Sequence, residues 1–251
     1  QSRHSGCGGA VFSAATEVQP GGGQRAPKTG DEVIDGKTEA RGGQHAIEAV
    51  HSVGVDLHIG DPAFTADGTY YAARPGKMRI DIKADGKTVF TEAFDGTRGW
   101  EWKGKGDAID ASAKGAAALR HGVELPGHLY GLHEMRQRGH RVDLIGREKI
   151  DGRDYYALRL TLNDGYTTNL YVDAQTWLIT RRRDVRPLHV DIDPTPITIE
   201  QRMSDFRNVS GVTFSFANTE IDLNTGKVLE TTTVRAITVN PKINELSFDK
   251  L

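Results

Sequence analysis

The sequence predicts a mainly β protein, a curved antiparallel sheet interrupted by a short helical insertion. Three observations carry that expectation. From residue 51 onward apolar residues alternate with polar ones over most of the chain, the mark of strands with one buried and one wet face. Asx-Gly pairs recur between the alternating runs; they accept the positive φ of tight hairpin turns, and short turns make neighbouring strands antiparallel. Residues 111–139 break the alternation with an Ala-rich, Leu-containing stretch of helical character.

Residues 1–30 are rich in Gly, Gln, Pro and Ala, as in Gln19-Pro20-Gly21-Gly22-Gly23, and have no hydrophobic period. They are expected to be a disordered leader or tether, with the folded domain over 31–251. Val33, Ile34, Ala46, Ile47, Ala49 and Val50 then recur at roughly helical spacing, a short amphipathic helix weakened by Gly42-Gly43. Val53, Val55, Leu57 and Ile59 alternate, as do Met78, Ile80 and Ile82. Turns are expected at Asp67-Gly68, Asp85-Gly86 and Asp95-Gly96. In the insertion, Ala111–Leu119 favours one helix, and Leu129, Leu132 and Met135 give the apolar face of a second, with Pro126-Gly127 breaking the segment between them. The alternation resumes with Val142 and Leu144, then Tyr156, Leu158, Leu160 and Leu162, Leu170 and Val172, and Trp177 and Ile179. Turns fall at Asp151-Gly152, Asn163-Asp164-Gly165 and Asn224-Thr225-Gly226, and a proline-rich loop at 187–196. Ile197, Ile199 and Met203, then Val212, Phe214 and Phe216, then Leu229 to Val239 complete about 10–11 strands. That is many for one flat sheet, so the sheet is expected to curl.

Composition narrows the function. Formal net charge is -2 with both signs mixed, so no basic face for nucleic acid is expected. No apolar run approaches the roughly 18–20 residues that span a bilayer. The single cysteine, Cys7, excludes an internal disulfide and a thiolate metal site. The first residue is Gln and no apolar signal core is present, consistent with a removed leader or a start inside a longer chain. Ser5-Gly6-Cys7 has the form of a lipobox end, with His4 in place of the usual Leu-like residue; a lipid on Cys7 would tether the domain to a membrane surface, and the plain alternative is an incidental thiol.

Several phrases stand in order along the chain: Gly42-Gly43 with Ala46-Ile47; Ala73-Arg74-Pro75-Gly76-Lys77-Met78-Arg79; Phe94-Asp95-Gly96 with Gly99-Trp100; Gly146 with Asp151-Gly152-Arg153 and Tyr155-Tyr156; Tyr171-Val172-Asp173-Ala174 with Thr176 and Leu178; and Asp205-Phe206 with Gly211-Val212. Together they resemble the outer-membrane lipoprotein-sorting and lipoprotein-carrier (LolA-like) superfamily. The resemblance implies a half-open antiparallel barrel closed by a helical lid, and an apolar cavity that shelters lipoprotein acyl chains in the periplasm or at the periplasmic face of a membrane. It implies binding and transfer without catalysis or cofactor, and a possible envelope protein as partner. Arg74 matches the family's Arg that hydrogen-bonds the lid; the alternative is a solvated residue at a strand end. The expected cavity lining is Val53, Val55, Leu57, Met78, Ile80, Trp100, Tyr156, Leu158, Leu160 and Phe214 from the sheet, with Leu129, Leu132 and Met135 from the lid. An acyl chain gains about 0.8 kcal/mol per buried methylene, which is what a dry cavity would supply.

Two rivals stand beside this reading. One is an envelope sensor or interaction module on the same fold. The other is a metal-dependent enzyme built on histidines. His121, His128, His133 and His140 are spaced by seven, five and seven residues, not at the close pairs a metal site uses, so no metal is expected. His189, Asp191 and Asp193 alternate onto one side of an extended segment, which a proline-rich loop explains as well. Trp100, Trp102 and Trp177 are read as strand residues, and Arg181-Arg182-Arg183 as solvated surface or a contact for anionic headgroups.

Overall fold

The computed structural model describes residues 27 and 29–251. The expected tether and Cys7 lie outside the described residues. The chain enters through helix α1 (Gly30–Arg41), opened by a capping box in which Thr29 and Glu32 satisfy each other's backbone N–H groups. Gly42 ends it at φ 132°, and a Cβ there would lie 2.1 Å from the Gly211 carbonyl. Only glycine lets the helix end approach that turn so closely. A second short helix, α2 (Gln44–Glu48), follows. The single helix expected over 31–50 is therefore two, divided at the glycine pair.

A first meander then runs β1 (Ser52–Gly60), β2 (Thr65–Ala73), β3 (Lys77–Ala84), β4 (Lys87–Phe94), β5 (Gly99–Trp102) and β6 (Ile109–Asp110). The insertion holds α3 (Ala113–Glu124) and α4 (Glu134–Gln137). A second meander runs β7 (Arg141–Ile150), β8 (Arg153–Thr161), β9 (Thr167–Asp173), β10 (Ile179–Arg186), β11 (Ile197–Val209), β12 (Val212–Asp222) and β13 (Val228–Val239). β1 pairs with β13, so both meanders join into one antiparallel 13-stranded sheet in the order β6-β5-β4-β3-β2-β1-β13-β12-β11-β10-β9-β8-β7. Its outer strands, β6 and β7, do not pair with each other, and the curved sheet stays a half-open barrel.

That order places the lid. The chain leaves the sheet at one edge, β6, and re-enters at the opposite edge, β7. The segment between must cross the whole sheet, and it does so over the concave face. Ser112 caps α3 by accepting from Gly115 N–H, and Asp191 in the proline-rich loop accepts from the Ser112 hydroxyl and N–H. Asp191 thus anchors the lid's first helix.

Thirteen strands replace the expected 10–11. Asp67-Gly68 is not a turn but the middle of β2, where Gly68 pairs with Leu57 and Ile82. A Cβ on Gly68 would sit 2.9 Å from Leu57 Cδ1, so the glycine is there to let the neighbouring leucine pack. The real β1–β2 turn is built by Asp61, whose carboxylate accepts from Ala63 and Phe64 N–H. Trp177 is not on a strand: it has φ 59° in the β9–β10 turn and stacks on Tyr156. Leu129 and Leu132 belong to an irregular segment rather than to a second helix, which is confined to α4.

One buried apolar cluster fills the space between the concave face, α1, α2 and the lid. A smaller one lies on the outer face, where the Trp100 indole N–H donates to the Phe248 carbonyl of the C-terminal segment at 2.8 Å.

Candidate functional site

The lid is held down by side chains, not by a hinge of regular structure. Arg74, at the end of β2, donates Nε to Val50 O at 2.7 Å, Nη2 to Leu129 O at 2.8 Å, and Nη1 to Glu134 Oε1 at 2.6 Å. Glu134 in turn accepts from Gly131 N–H at 2.7 Å. Burial pushes the Glu134 carboxyl up, but Arg74 and that backbone donor hold it below the ordinary range. Tyr130 lies between the Arg74 and Arg138 guanidinium groups, 4.5 and 3.5 Å from its ring centre, and donates its hydroxyl to Pro75 O. From the other side Arg41, on the buried face of α1, donates to Tyr130 O and Gly127 O. Five donors in a planar fork let one guanidinium satisfy several loop carbonyls that helix geometry leaves open.

Beneath the lid lies a partly open pocket of about 310 Å³. The lid contributes Val123, Leu125, His128, Leu129 and Leu132; the sheet contributes Tyr70, Leu170, Ile179, Met203 and Phe214. Three cations also line it, Lys37 and Arg41 from α1 and Arg182 from β10, and no carboxylate does. His128 sits between the Tyr70 and Phe214 rings. Burial, then the nearby Arg41 charge, lower its pKa to about 4, so it is neutral at neutral pH.

The cations are unusual in their surroundings. Lys37 is only 8% exposed, and no described carboxylate or hydrogen-bond acceptor meets its ammonium. Burial and then Arg41 pull its pKa well below the usual lysine range. Arg41, with backbone carbonyls as its hydrogen-bond partners and its guanidinium over the Phe214 ring, is itself lowered to about 10, chiefly by burial. Arg182 Nε is buried without a hydrogen-bond partner, and its nearest carboxylate oxygen, on Asp184, is 3.9 Å away.

Arg182 reaches the pocket because of a bulge. Ile179 pairs with Val172 and Arg181 with Tyr171, so Thr180 is the extra residue. Without it, alternation from inward-facing Ile179 would send Arg181 and Arg183 in and Arg182 out. With it, Arg182 pairs with Leu170 on the concave face, while Arg181 and Arg183 meet buried Glu200 on the outer face at 2.7 and 2.6 Å. The triple arginine is therefore neither solvated surface nor one patch.

Of the residues expected to line the cavity, Leu129, Leu132 and Phe214 do so. Val53, Val55, Leu57, Met78, Tyr156, Leu158, Leu160 and Met135 are buried in the same apolar cluster but lie outside the pocket wall, and Ile80 is half-buried against it. They are packed because α1, α2 and the lid segment already cover them. Trp100 is on the opposite face. Among the described residues no three His, Cys, Asp or Glu side chains converge as metal ligands. His121 pairs with Asp164 and His133 with Glu48, and His140 Nδ1 accepts from Asn163 N–H.

No protein-family model and no curated protein matches the chain. Solved structures do. A LolA superfamily protein from Nitrosomonas europaea superposes with a TM-score of 0.58 at 15% identity, over 89% of this chain and 99% of that one. A DUF1329 family protein from Desulfovibrio piger gives 0.58 at 12%, over 87% and 96%. A domain assigned to outer-membrane lipoprotein sorting, from Vibrio parahaemolyticus, gives 0.57 at 10%, over 87% and 95%. At these identities the likeness establishes the fold: the chain has the LolA-like half-barrel with its lid.

Proposed function

We propose that this chain binds lipid or lipoprotein acyl chains in the bacterial cell envelope and hands them on without chemical change. The observation that carries the reading is the pocket of about 310 Å³ between lid and concave face, walled by Leu, Ile, Val, Met and Phe side chains. That volume lies at the lower end of the roughly 300–1,000 Å³ range of small-ligand sites and suits one alkyl chain. The lid is fastened at its loop by Arg74 and Arg41, so release of that loop opens the pocket without disturbing the sheet. Fold likeness to proteins named for lipoprotein sorting supports the same reading. No helix among the described residues is long and apolar enough to cross a membrane.

The interaction-module alternative would use the free edge of β7, but Arg141, Arg147 and Lys149 on that strand are the charges that discourage strand addition. The test is displacement of a fluorescent fatty-acid analogue from delipidated protein by unlabelled acyl chains, with native mass spectrometry of protein from a lipid-containing host. Saturable binding and a retained acyl ligand are expected. A delipidated protein that binds no alkyl probe would overturn the reading.

A further inference from the structure

Resting on that reading, we propose that the ligand is a single-chain amphiphile whose head is an anionic oxygen group, carboxylate or phosphate monoester, held by Lys37 and Arg182 with the tail under the lid. The two side chains come from different elements, α1 and β10, and converge on the same pocket wall. No described acceptor meets the Lys37 ammonium, and the Arg182 guanidinium bordering the same wall has a buried Nε–H without a hydrogen-bond partner. A buried polar group normally has a partner, because leaving it unpaired forfeits the water it gave up. Elsewhere in this molecule buried cations do have one, as Arg181 and Arg183 have Glu200.

The local sequence works against accident. Lys37 and Arg41 are four apart on the buried stripe that begins with Val33 and Ile34, so two like charges are stacked on a helix face where apolar residues would pack. Arg182 is turned inward only by the bulge at Thr180. No carboxylate lines the pocket; the one nearest Arg182, Asp184, stands 3.9 Å from Nε and is shared with Arg186. Arg41 is already committed to the Tyr130 and Gly127 carbonyls, so it adds positive potential and couples the head site to the lid loop. Gln201 and Asn218 supply neutral donors on the same wall. A free inorganic anion would use the cations but leave the Leu, Ile and Met wall empty, and a neutral lipid would leave the Lys37 ammonium and the Arg182 Nε–H without an acceptor. A ligand with both parts satisfies both.

Isothermal titration of the delipidated full chain with hexadecanoate, hexadecyl phosphate, hexadecanol and inorganic phosphate separates the possibilities. Hexadecanoate or hexadecyl phosphate should bind about tenfold or more tighter than hexadecanol, the scale of a charge-assisted hydrogen bond. The tighter of the two names the head. Lys37→Met and Arg182→Met should each narrow the gap between acid and alcohol. Equal affinity of acid and alcohol in the wild-type protein would overturn the head-group assignment and leave acyl binding standing. Phosphate alone binding as tightly as hexadecyl phosphate would overturn the amphiphile. Failure of every alkyl compound to bind would remove the proposed function as well.

Discussion

The outer face of the sheet and the pocket wall on its concave side treat buried cations in opposite ways. On the outer face each buried or half-buried arginine has its counter-ion. Glu200, fully buried, is met by Arg181, Arg183 and Arg202 at 2.7, 2.6 and 2.6 Å, and Asp81 takes Arg79 at 3.0 Å while the Arg79 guanidinium lies over Trp100. At the pocket wall Lys37 and Arg182 lack a hydrogen-bonded carboxylate and Arg41 has only backbone carbonyls, whereas Arg74 and Arg186, on the same side but off that wall, are paired with Glu134 and Glu220 at 2.6 Å. The same residue type stabilises one side and strains the other. A protein tolerates buried, unpaired charge where a ligand completes it, so the contrast separates structure from site without reference to any relative.

The sharpest way to break that contrast is to take the counter-ion from the outer face. Burial raises the Glu200 carboxyl pKa, but hydrogen bonds from Arg202 and Arg183 and the Arg181 charge keep it below the ordinary range, so it is ionised and paired. Glu200→Ala leaves three guanidinium groups around an empty site. Urea unfolding should show a loss of about 4 kcal/mol, the cost of breaking a buried pair from one side. A loss below about 1 kcal/mol would mean that the outer network is ornamental surface pairing.

His128 probes the concave face through pH. Its folded pKa of about 4 lies below the ordinary 6.5, so between those values the unfolded chain holds a proton that the folded chain refuses. Stability is therefore lost as pH falls from 6.5 toward 4, and the loss is complete below 4. His128→Phe removes this slope while keeping a ring between Tyr70 and Phe214. The difference between wild type and variant should amount to roughly 3 kcal/mol across that window. Parallel pH profiles would show that His128 is open to water and the pocket wetter than its walls imply.

The contrast was only half legible in the sequence. Alternation and the Asp85-Gly86, Asp151-Gly152 and Asn163-Asp164-Gly165 turns revealed the hairpins, and the resemblance pointed to Arg74. β2 was hidden because Gly68 and Tyr70-Tyr71 break the period and Asp67-Gly68 mimics a turn. The short β5 and β6 carry too few residues to show a period. The pairing of β1 with β13 joins residues more than 170 apart, which no local pattern encodes. In the site, Lys37 and Arg41 did carry a signal: they extend the Val33–Ile34 stripe at helical spacing. Arg182 carried none, because its direction depends on a bulge that alternation cannot foresee. Alternation marks which side chains point inward but not which of them line a cavity, and most of the inward ones are packed core.

Arg74 tests whether the lid is independent of the sheet. It is a paired cation of the concave side, tied to Glu134 and to the Leu129 carbonyl. Arg74→Leu leaves Glu134 with only Gly131 N–H. A cost of about 2 kcal/mol is expected, less than at Glu200 because Arg74 is partly exposed. Hydrogen exchange should quicken over residues 126–134, with the amides of β8, β9 and β12 unchanged. Faster exchange throughout the sheet would make Arg74 a general support of the fold rather than a fastening of the lid.

The smallest effect has the most informative sign. If Lys37 is a buried charge without a partner, removing it should help the empty protein. Lys37→Met keeps the length and flexibility of the side chain and replaces the ammonium with apolar volume at the pocket wall, so a gain of about 1 kcal/mol is expected at pH 7. The folded pKa of Lys37 lies well below 10.5, so in that interval the unfolded chain binds the proton more strongly and wild-type stability rises with pH. The advantage of the variant should accordingly shrink as pH approaches 10.5. Saturating hexadecanoate should reverse the order at pH 7, because ligand that binds the folded wild type more tightly raises its stability by mass action. Destabilisation by Lys37→Met in the absence of ligand, of the size seen for a paired arginine, would place Lys37 with the outer-face cations and erase the difference between the two faces.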